Sequence, residues 1–315
     1  MTRLIILFYG CFLLFSSCKQ KPVFIDFTYP EGKYKALVLS YDDGTIQDIQ
    51  LANLFDQHNL VGTFNLNSEY LGTKRGWPQQ NGDTIFQKYV AKDSLLFIYK
   101  NHEIAAHGAL HKNFIDITDK EILDEVNIDI KNLTELTDRK IISMAYPFGN
   151  TNDSIAKLIS TTEIVNARTV DDTYKFDLPK NYLIWNPTCH DSKVLDYLND
   201  YLILDKPKLS LFYVWGHSWE FEDQHRWNNM VEFCEKIGKA NDIWSVGNGE
   251  LTKYLKAIKK VQINEYKIVN PLNNELVWIK LSTGIKKLEA GETIEIKTIA
   301  NKQTSKKNTD HEQGI

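Results

Sequence analysis

Short apolar runs alternate with amphipathic segments along most of the chain. The apolar runs are rich in β-branched and aromatic residues, whereas the segments between them carry apolar residues at helical spacing. The predicted strands are Ala36–Ser40, Val61–Leu66, Glu103–Ala106, Ile141–Ala145, Glu163–Ala167, Tyr182–Trp185 and Leu209–Trp215. The predicted helices are Gln47–His58, Lys120–Leu136, Ser154–Thr161, Lys193–Leu204 and Arg226–Lys239. Strands that alternate with helices indicate an α/β fold with a parallel sheet, either open or closed into a barrel.

This pattern changes in one internal segment and at the C-terminus. Between Glu69 and Asp93 the periodicity weakens among several glycines, which predicts a long loop that overhangs a site. After Lys260 the chain shows short alternating segments separated by turn residues, so we expect a small β appendage over residues 261–300. Residues 301–315 are polar and rich in lysine, without periodicity, and are expected to be disordered.

The N-terminus has the pattern of an export signal. Arg3 precedes an uncharged, largely apolar run from Leu4 to Phe15, which is too short to span a bilayer as a helix. The run ends on Ser-Ser-Cys, which resembles a bacterial lipoprotein signal, so residues 1–17 would be removed and Cys18 lipidated. The protein is then exported and anchored in the cell envelope by lipid, with residues 18–35 as a tether. An ordinary signal peptide with an incidental cysteine is the alternative.

Composition and charge narrow the class of protein. The 315 residues are 43% hydrophobic and 25% charged, which favours one large domain with a small extension. The net charge is -4, and the basic residues are scattered, so nucleic acid is not an expected partner. Cys189 and Cys234 remain in the folded part, and two buried thiols are favoured over a disulfide, which the spacing cannot exclude. The oligomeric state stays open.

Polar residues follow four of the predicted strands. Asp42-Asp43 come after the first strand, His107 and His111 after the third, the segment Tyr146–Gly149 after the fourth, and His217 after the last. Each motif alone is also compatible with a turn, a helix cap or a solvated face. Because functional groups in parallel α/β folds gather at the carboxyl ends of the strands, the ordered array predicts one active site.

These motifs resemble the NodB-type polysaccharide deacetylases, carbohydrate esterase family four, over Ala36 to Ala257. The resemblance implies a distorted (β/α) barrel, here over residues 36–260, and a metal-dependent hydrolase. Ser-Tyr-Asp-Asp-Gly at 40–44 is similar to the family's Thr-Phe-Asp-Asp-Gly, which implies that Asp42 is the catalytic base and Asp43 a metal ligand.

Further roles follow from the same resemblance. His107 and His111 match the family's His-x-x-x-His ligand pair, although Gly108 stands where Ser or Thr commonly braces the loop. The backbone N–H of Phe148 would help to hold the oxyanion, and His217 occupies the position of the general acid. Aromatic residues near these motifs are expected to stack on sugar rings, with two or three of them facing the cleft. The aromatic candidates are Tyr146, Phe148, Trp185, Trp215, Trp219 and Trp227.

The chemistry of the motifs agrees with hydrolysis of an acetyl group on a carbohydrate. Two imidazoles and one carboxylate suit a single divalent metal, zinc above all, with positions left for water and substrate. Removal of N-acetyl groups is favoured, and an O-acetyl esterase or a non-catalytic carbohydrate-binding lipoprotein are the alternatives. His190 beside Cys189 is interpreted as a structural or substrate-contacting residue rather than part of a second metal site. The appendage either binds glycan or covers an apolar flank of the barrel.

One departure from the family leads to a further prediction. Ala145 stands where many members carry an arginine that orients the base, and Arg168 ends the next predicted strand. We therefore predict that Arg168 takes over this role and pairs with Asp42. The alternative is a surface or core-edge arginine paired with Asp171 or Asp172.

Overall fold

The computed structural model describes residues 25–78, 83–205 and 207–296. The predicted leader, the lipidation site Cys18 and the tail at 301–315 lie outside these residues. The strands are β1 Ile25–Thr28, β2 Lys35–Asp43, β3 Gly62–Leu66, β4 Lys74–Pro78, β5 Thr84–Lys88, β6 Glu103–Ala106, β7 Ser143–Ala145, β8 Asn166–Arg168, β9 Cys189–His190, β10 Ser210–His217, β11 Ile243–Ser245, β12 Gln262–Ile263, β13 Lys267–Val269, β14 Val277–Leu281, β15 Gly284–Leu288 and β16 Thr293–Glu295. The helices are α1 Asp48–Gln57, α2 Leu95–Ile98, α3 Asp119–Thr137, α4 Asp153–Ile159, α5 Val194–Leu202, α6 Trp219–Asp223, α7 Trp227–Ile237 and α8 Asn248–Lys260. Among the helices of the described residues, none combines the length and the apolar character that a membrane crossing needs.

A parallel sheet forms the centre of the molecule. Its seven consecutive strands follow the order β8-β7-β6-β3-β2-β10-β9, and β11 also pairs with β2. All of these pairings are parallel, and the sheet curls into a half-barrel with helices on its outer face. The predicted α/β fold of barrel type is thus confirmed.

Strand β2 shows why the sheet is central. Eight of its nine residues are buried, which is typical of a parallel strand covered on both faces. Successive side chains point to opposite faces of a strand, so Leu37 and Leu39 join the core beneath α1, α3 and α7. Ala36 and Val38 join a second core on the inner face of the sheet. The core beneath the helices and the second core on the inner face pack against opposite sides of β2. Together they fix the position of the residues at the carboxyl end of this strand.

The C-terminal appendage covers part of this second core. It consists of two three-stranded antiparallel sheets, β1-β14-β15 and β12-β13-β16. Val277, Ile279 and Ile268 are fully buried and belong to the same apolar cluster as Ala36 and Val38 of the central sheet. The appendage therefore covers apolar surface of the barrel, and burial of this surface stabilises its position.

The structure differs from the sequence predictions in several elements. Residues 25–28, predicted as part of the tether, form β1 and pair with the appendage. Tyr182–Trp185 is not a strand, because only Trp185 makes an isolated bridge, to Arg168. The predicted loop between Glu69 and Asp93 contains the antiparallel hairpin β4–β5.

Candidate active site

The predicted site residues meet at one edge of the sheet. Asp42 and Asp43 end β2, Arg168 ends β8, His217 ends β10, and His107 follows β6 directly. Parallel strands bring their carboxyl ends to one side, which is why residues so distant in sequence become neighbours. Asp43 has a positive φ of 79°, so the chain turns there and the two adjacent carboxylates face different directions.

Asp43, His107 and His111 form a compact group of metal-ligating atoms. Both His107 Nε2 and His111 Nε2 lie 3.7 Å from Asp43 Oδ1, and one ligand atom from each of the three residues lies within 4.8 Å of the others. Ligands of a tetrahedral zinc ion, with bonds of about 2.1 Å, lie about 3.4 Å apart. The three residues would therefore need to move only slightly to share one ion.

The hydrogen bonds and charges of this group also suit a metal. His107 Nδ1 lies 2.9 Å from the Ala145 carbonyl, so an N–H there donates to the backbone and leaves Nε2 free to bind an ion. Burial, together with the neighbouring His107, lowers the pKa of His111 to about 4, so His111 is neutral at neutral pH. Trp219 Nε1 donates to Asp43 Oδ2 at 3.1 Å, which leaves Oδ1 toward the imidazoles. Neutral imidazoles and a charged carboxylate are the forms that bind zinc.

Two buried carboxylates of helix α3 hold the loop that carries the histidines. Asp129 accepts the backbone N–H groups of His107 and Ser68, both at 2.8 Å. Glu125 accepts the backbone N–H of Leu110 at 2.8 Å. At Gly108 the φ of +75° disfavours a side chain, and a Cβ would also approach Glu125 Oε2 to 3.3 Å. Helix α3 thus braces the loop that carries His107 and His111.

Asp42 lies beside this group in a buried polar environment. Asn65 Nδ2 donates to Asp42 Oδ1 at 2.9 Å, and Arg168 Nη2 donates to both carboxylate oxygens. Burial by itself would raise the pKa of Asp42, but the guanidinium of Arg168, with the imidazoles of His107 and His217 nearby, outweighs it and holds the pKa below its usual range. Asp42 is therefore an anion that can accept a proton.

The structure brings Arg168 to Asp42, as the sequence prediction proposed. Its guanidinium is fully buried and also donates to Ser40 Oγ and to the Thr169 carbonyl. The alternative pairing with Asp171 or Asp172 is not observed, and Asp172 instead accepts Trp215 Nε1 at 2.8 Å.

His217 faces Asp42 from the other side. Its Nε2 lies 4.0 Å from Asp42 Oδ2, and its Nδ1 lies 3.1 Å from Glu220 Oε1. Burial lowers the pKa of His217, but the hydrogen bond to Glu220 and the charges of Asp43 and Asp42 outweigh this effect and raise the pKa to about 9. His217 is therefore protonated at neutral pH and can donate from Nε2. Sequence reasoning missed Glu220, since nothing distinguishes it there from its acidic neighbours Glu222 and Asp223.

The same glutamate links His217 to a second polar cluster. Glu220 also contacts His190 Nε2 at 3.2 Å and Arg226 Nη2 at 2.9 Å, and Arg226 Nη1 contacts Asp191 at 2.6 Å. His190, His217 and Glu220 lie close enough to hold a metal, but the arginine on the glutamate takes the place of a cation. His190 belongs to this cluster of ion pairs and is not among the residues that line the cavity over Asp42.

A cavity of about 390 Å³ opens over these groups. It is lined by Asp42, Asp43, Ile85, Gln87, His107, His111, Phe148, Gly149, Val170, Trp215, His217 and Trp219. Of the expected aromatic residues, Phe148, Trp215 and Trp219 thus face the cleft. The prediction for Tyr146 as a substrate contact is wrong, because its ring is fully buried and its hydroxyl donates to the Leu183 carbonyl.

The remaining aromatic and cysteine side chains belong to the core. Trp185 is buried at the inner face of the sheet, and Trp227 packs on Phe221 away from the cavity. Cys189 and Cys234 are buried free thiols, as predicted, and Cys234 Sγ lies 3.7 Å from Met230 Sδ.

Comparisons with known proteins support the same family. Residues 29–167 match the family model for polysaccharide deacetylases, whereas none of the curated proteins matches the chain. The crystal structure of a protein assigned to the polysaccharide deacetylases from Mycobacterium smegmatis is 14% identical, with a TM-score of 0.53, and the match covers 74% of this chain and 93% of that one.

Two further solved structures are more distant in shape. One is the Xyl-CE4 domain of a multidomain xylanase from the hindgut metagenome of Trinervitermes trinervoides, with 12% identity, a TM-score of 0.46 and coverage of 71% and 92%. The other is the peptidoglycan deacetylase PdaC of Bacillus subtilis, with 14% identity, a TM-score of 0.45 and coverage of 72% and 95%. At these identities the similarity concerns the fold, and the Mycobacterium protein carries that comparison.

Proposed function

We propose that the polysaccharide deacetylase match of residues 29–167 extends to the activity of the chain, and that it removes acetyl groups from a polysaccharide or oligosaccharide with the help of one divalent metal. Zinc is the proposed metal, and N-acetyl groups are the proposed target. One observation carries the proposal. The charged Asp42 lies 3.8 Å from His107 Nε2 and 4.0 Å from His217 Nε2, so a base, a ligand group and an acid face the same cavity.

The residues divide the chemistry between them. A metal held by Asp43, His107 and His111 would polarise the acetyl carbonyl and lower the pKa of a water molecule. Asp42 accepts the proton of the attacking water, because its low pKa keeps it charged and Arg168 and Asn65 fix its orientation. The Phe148 backbone N–H is proposed to stabilise the oxyanion of the tetrahedral intermediate.

His217 is the proposed acid for the leaving group. An amine must gain a proton as the C–N bond breaks, whereas an alkoxide needs less help. The hydrogen bond from His217 Nδ1 to Glu220 leaves Nε2 as the donor toward the cleft. A protonated imidazole beside the base therefore favours amide over ester substrates, and this is the reason to prefer N-deacetylation. The O-acetyl esterase remains the alternative on the same residues.

Acetate release and metal content test the proposal together. The purified chain is incubated with chitin oligosaccharides, peptidoglycan fragments and acetylated xylan, and bound zinc is measured on the same sample. We expect acetate from an N-acetylated substrate and about one zinc per chain. Asp42→Asn is expected to keep the zinc while kcat falls by about two to four orders of magnitude, because the amide cannot accept a proton.

The other outcomes are distinct. Acetate release from acetylated xylan, but from neither N-acetylated substrate, would mean that the chain is an O-acetyl esterase and not an N-deacetylase. Bound zinc without acetate release from any of these substrates would favour the non-catalytic carbohydrate-binding protein. Loss of zinc in Asp42→Asn would mean that the roles of the two aspartates are exchanged.

The proposed cellular setting follows from the N-terminal pattern. Export, lipidation at Cys18 and attachment to a membrane of the cell envelope would bring the enzyme to cell-surface or extracellular carbohydrate.

A further inference from the structure

The hairpin β4–β5 forms one wall of the cavity. In β5, Ile85 and Gln87 lie two residues apart and therefore on the same face of the strand, and both line the cavity. Phe86 lies between them on the opposite face and is 61% exposed. The hairpin thus adds one apolar and one amide side chain to a site that otherwise comes from the barrel.

The base of the hairpin is tied to the turn that follows the two aspartates. The backbone N–H of Ile46 donates to the Lys88 carbonyl at 2.9 Å, and that of Val90 donates to the Gly44 carbonyl at 3.0 Å. Thr45 and Tyr89 form an antiparallel bridge between these bonds. Because Gly44 directly follows Asp43, these bonds hold Gln87 at a defined position relative to the metal-ligating group.

The side chain of Gln87 lines the cavity, and the residue is only 7% exposed. Its amide can exchange hydrogen bonds with water for hydrogen bonds to a ligand in the cavity, because an amide both donates and accepts. We propose that Gln87 is a substrate-binding residue that hydrogen-bonds the sugar unit at the acetyl group, with Ile85 packed against the same ring; this inference rests on the proposed deacetylase function.

The lining of the cavity indicates the class of sugar. Among the lining residues none is a lysine or an arginine, and Asp42 and Asp43 bring negative charge. In that lining the protonated His217 is already paired with Asp42 and Glu220, so it is not available to bind the carboxylate of an acidic sugar. An amide both donates and accepts hydrogen bonds, which suits hydroxyl and acetamido groups, and the apolar walls suit the C–H face of a ring. The geometry points to a neutral acetylated sugar.

The test compares Gln87→Leu with Phe86→Leu, a control on the outward face of the same strand. For each variant kcat/KM is measured on neutral N-acetylated oligosaccharides and on a small aryl acetate, which has no sugar to contact Gln87. Loss of this hydrogen bond is expected to lower kcat/KM for the oligosaccharide by about tenfold in Gln87→Leu. The aryl acetate is expected to change by less than about twofold, and Phe86→Leu to resemble the wild type on both substrates.

The outcomes separate this inference from the proposed function. A wild type that releases no acetate from any saccharide would contradict the proposed function itself. An active wild type whose Gln87→Leu variant keeps its oligosaccharide activity, or loses both activities equally, would contradict only the role of Gln87. Gln87→Met keeps the side-chain length without the amide and is expected to match Gln87→Leu, with unchanged melting temperature and zinc content.

Discussion

Arg168 and Asp42 form an ion pair across the interior of the half-barrel. Their strands β8 and β2 are not neighbours, since β7, β6 and β3 lie between them in the sheet. The contact exists because the sheet curls and brings the inward-facing ends of the two strands together, where Arg168 also reaches Ser40. A buried cation in direct contact with a carboxylate favours the charged form of that carboxylate, and a base requires the charged form.

Arg168→Met is expected to shift the pH dependence of the proposed reaction. Burial raises the pKa of Asp42, and Arg168 is the charge that lowers it most, so the pKa stays below its usual range. Removing this charge raises the pKa of Asp42, so the base is protonated already at less acid pH, and the acidic limb of kcat/KM moves to higher pH. The pH profile of acetate release measures the shift, with zinc content measured in parallel.

Arg168→Lys is the matched control for this variant. It keeps the charge but loses the forked geometry, so a smaller shift of the same limb is expected. Melting temperatures check both variants, because an unpaired buried Asp42 destabilises the fold. An acidic limb that stays in place in Arg168→Met would mean that another group holds the base.

At the scale of elements, helix α3 acts on the site without touching the cavity. It begins with a capping box between Thr118 and Glu121 and buries Val126 and Leu133 against the sheet. On the same buried face, Glu125 and Asp129 lie four residues apart and reach the loop that carries the two histidines. The helix therefore couples barrel packing to the geometry of the proposed metal site.

Asp129→Asn is expected to weaken zinc binding by about ten- to a hundredfold, as removal of groups that orient ligands commonly does. An amide can replace only one of the two acceptor oxygens that now bind Ser68 and His107, so the loop loses part of its support. Competition with a chelator measures the affinity.

Asp124→Asn is the control on the exposed face of the same helix, where Asp124 pairs with Lys120. This variant is expected to bind zinc as the wild type does. Equal zinc affinities in both variants would contradict the bracing role of Asp129, provided that the metal-free melting temperatures agree.

The elements show how far the sequence could predict the structure. Long periodic segments such as α3 were predicted within about two residues, because their apolar spacing is unambiguous. Hairpin β4–β5 and strand β1 were missed, since their residues are largely exposed or partly buried and their pairing depends on distant partners. Helix α8 was not identified as a helix before the appendage, although its pattern is amphipathic.

The same limit applies to individual site residues. Motifs at strand ends identified Asp42, Asp43 and the histidines, because parallel topology alone brings these positions together. Tyr146 was misassigned, since the sequence does not say which side of a turn faces the cleft. Gln87 and Glu220 carry no motif, and only the packing of the hairpin and of α6 reveals them.

At the scale of the whole molecule, the N-terminal strand gives the proposed anchor an orientation. Six residues separate Cys18 from β1, so the two are at most about 24 Å apart. A lipid at Cys18 would therefore keep the appendage, to which β1 belongs, near the membrane.

Cys18→Ala is expected to release the protein from the membrane fraction, because without the thiol no acyl chains can be attached. Expression of the full chain in a bacterium, with labelled fatty acid and cell fractionation, measures both attachment and lipidation. Acetate release by the variant is expected to stay unchanged. Membrane attachment that survives in Cys18→Ala would favour another means of retention.

The pairing of β1 with β14 also has a consequence for how the chain folds. Ile25 lies opposite Leu281, so the first described strand finds its partner near the end of the described chain. Closing a loop of this length is slow, and it has to wait until the last strands have been synthesised. The chain therefore cannot complete the three-stranded sheet β1-β14-β15 until Leu281 and the strand after it have left the ribosome.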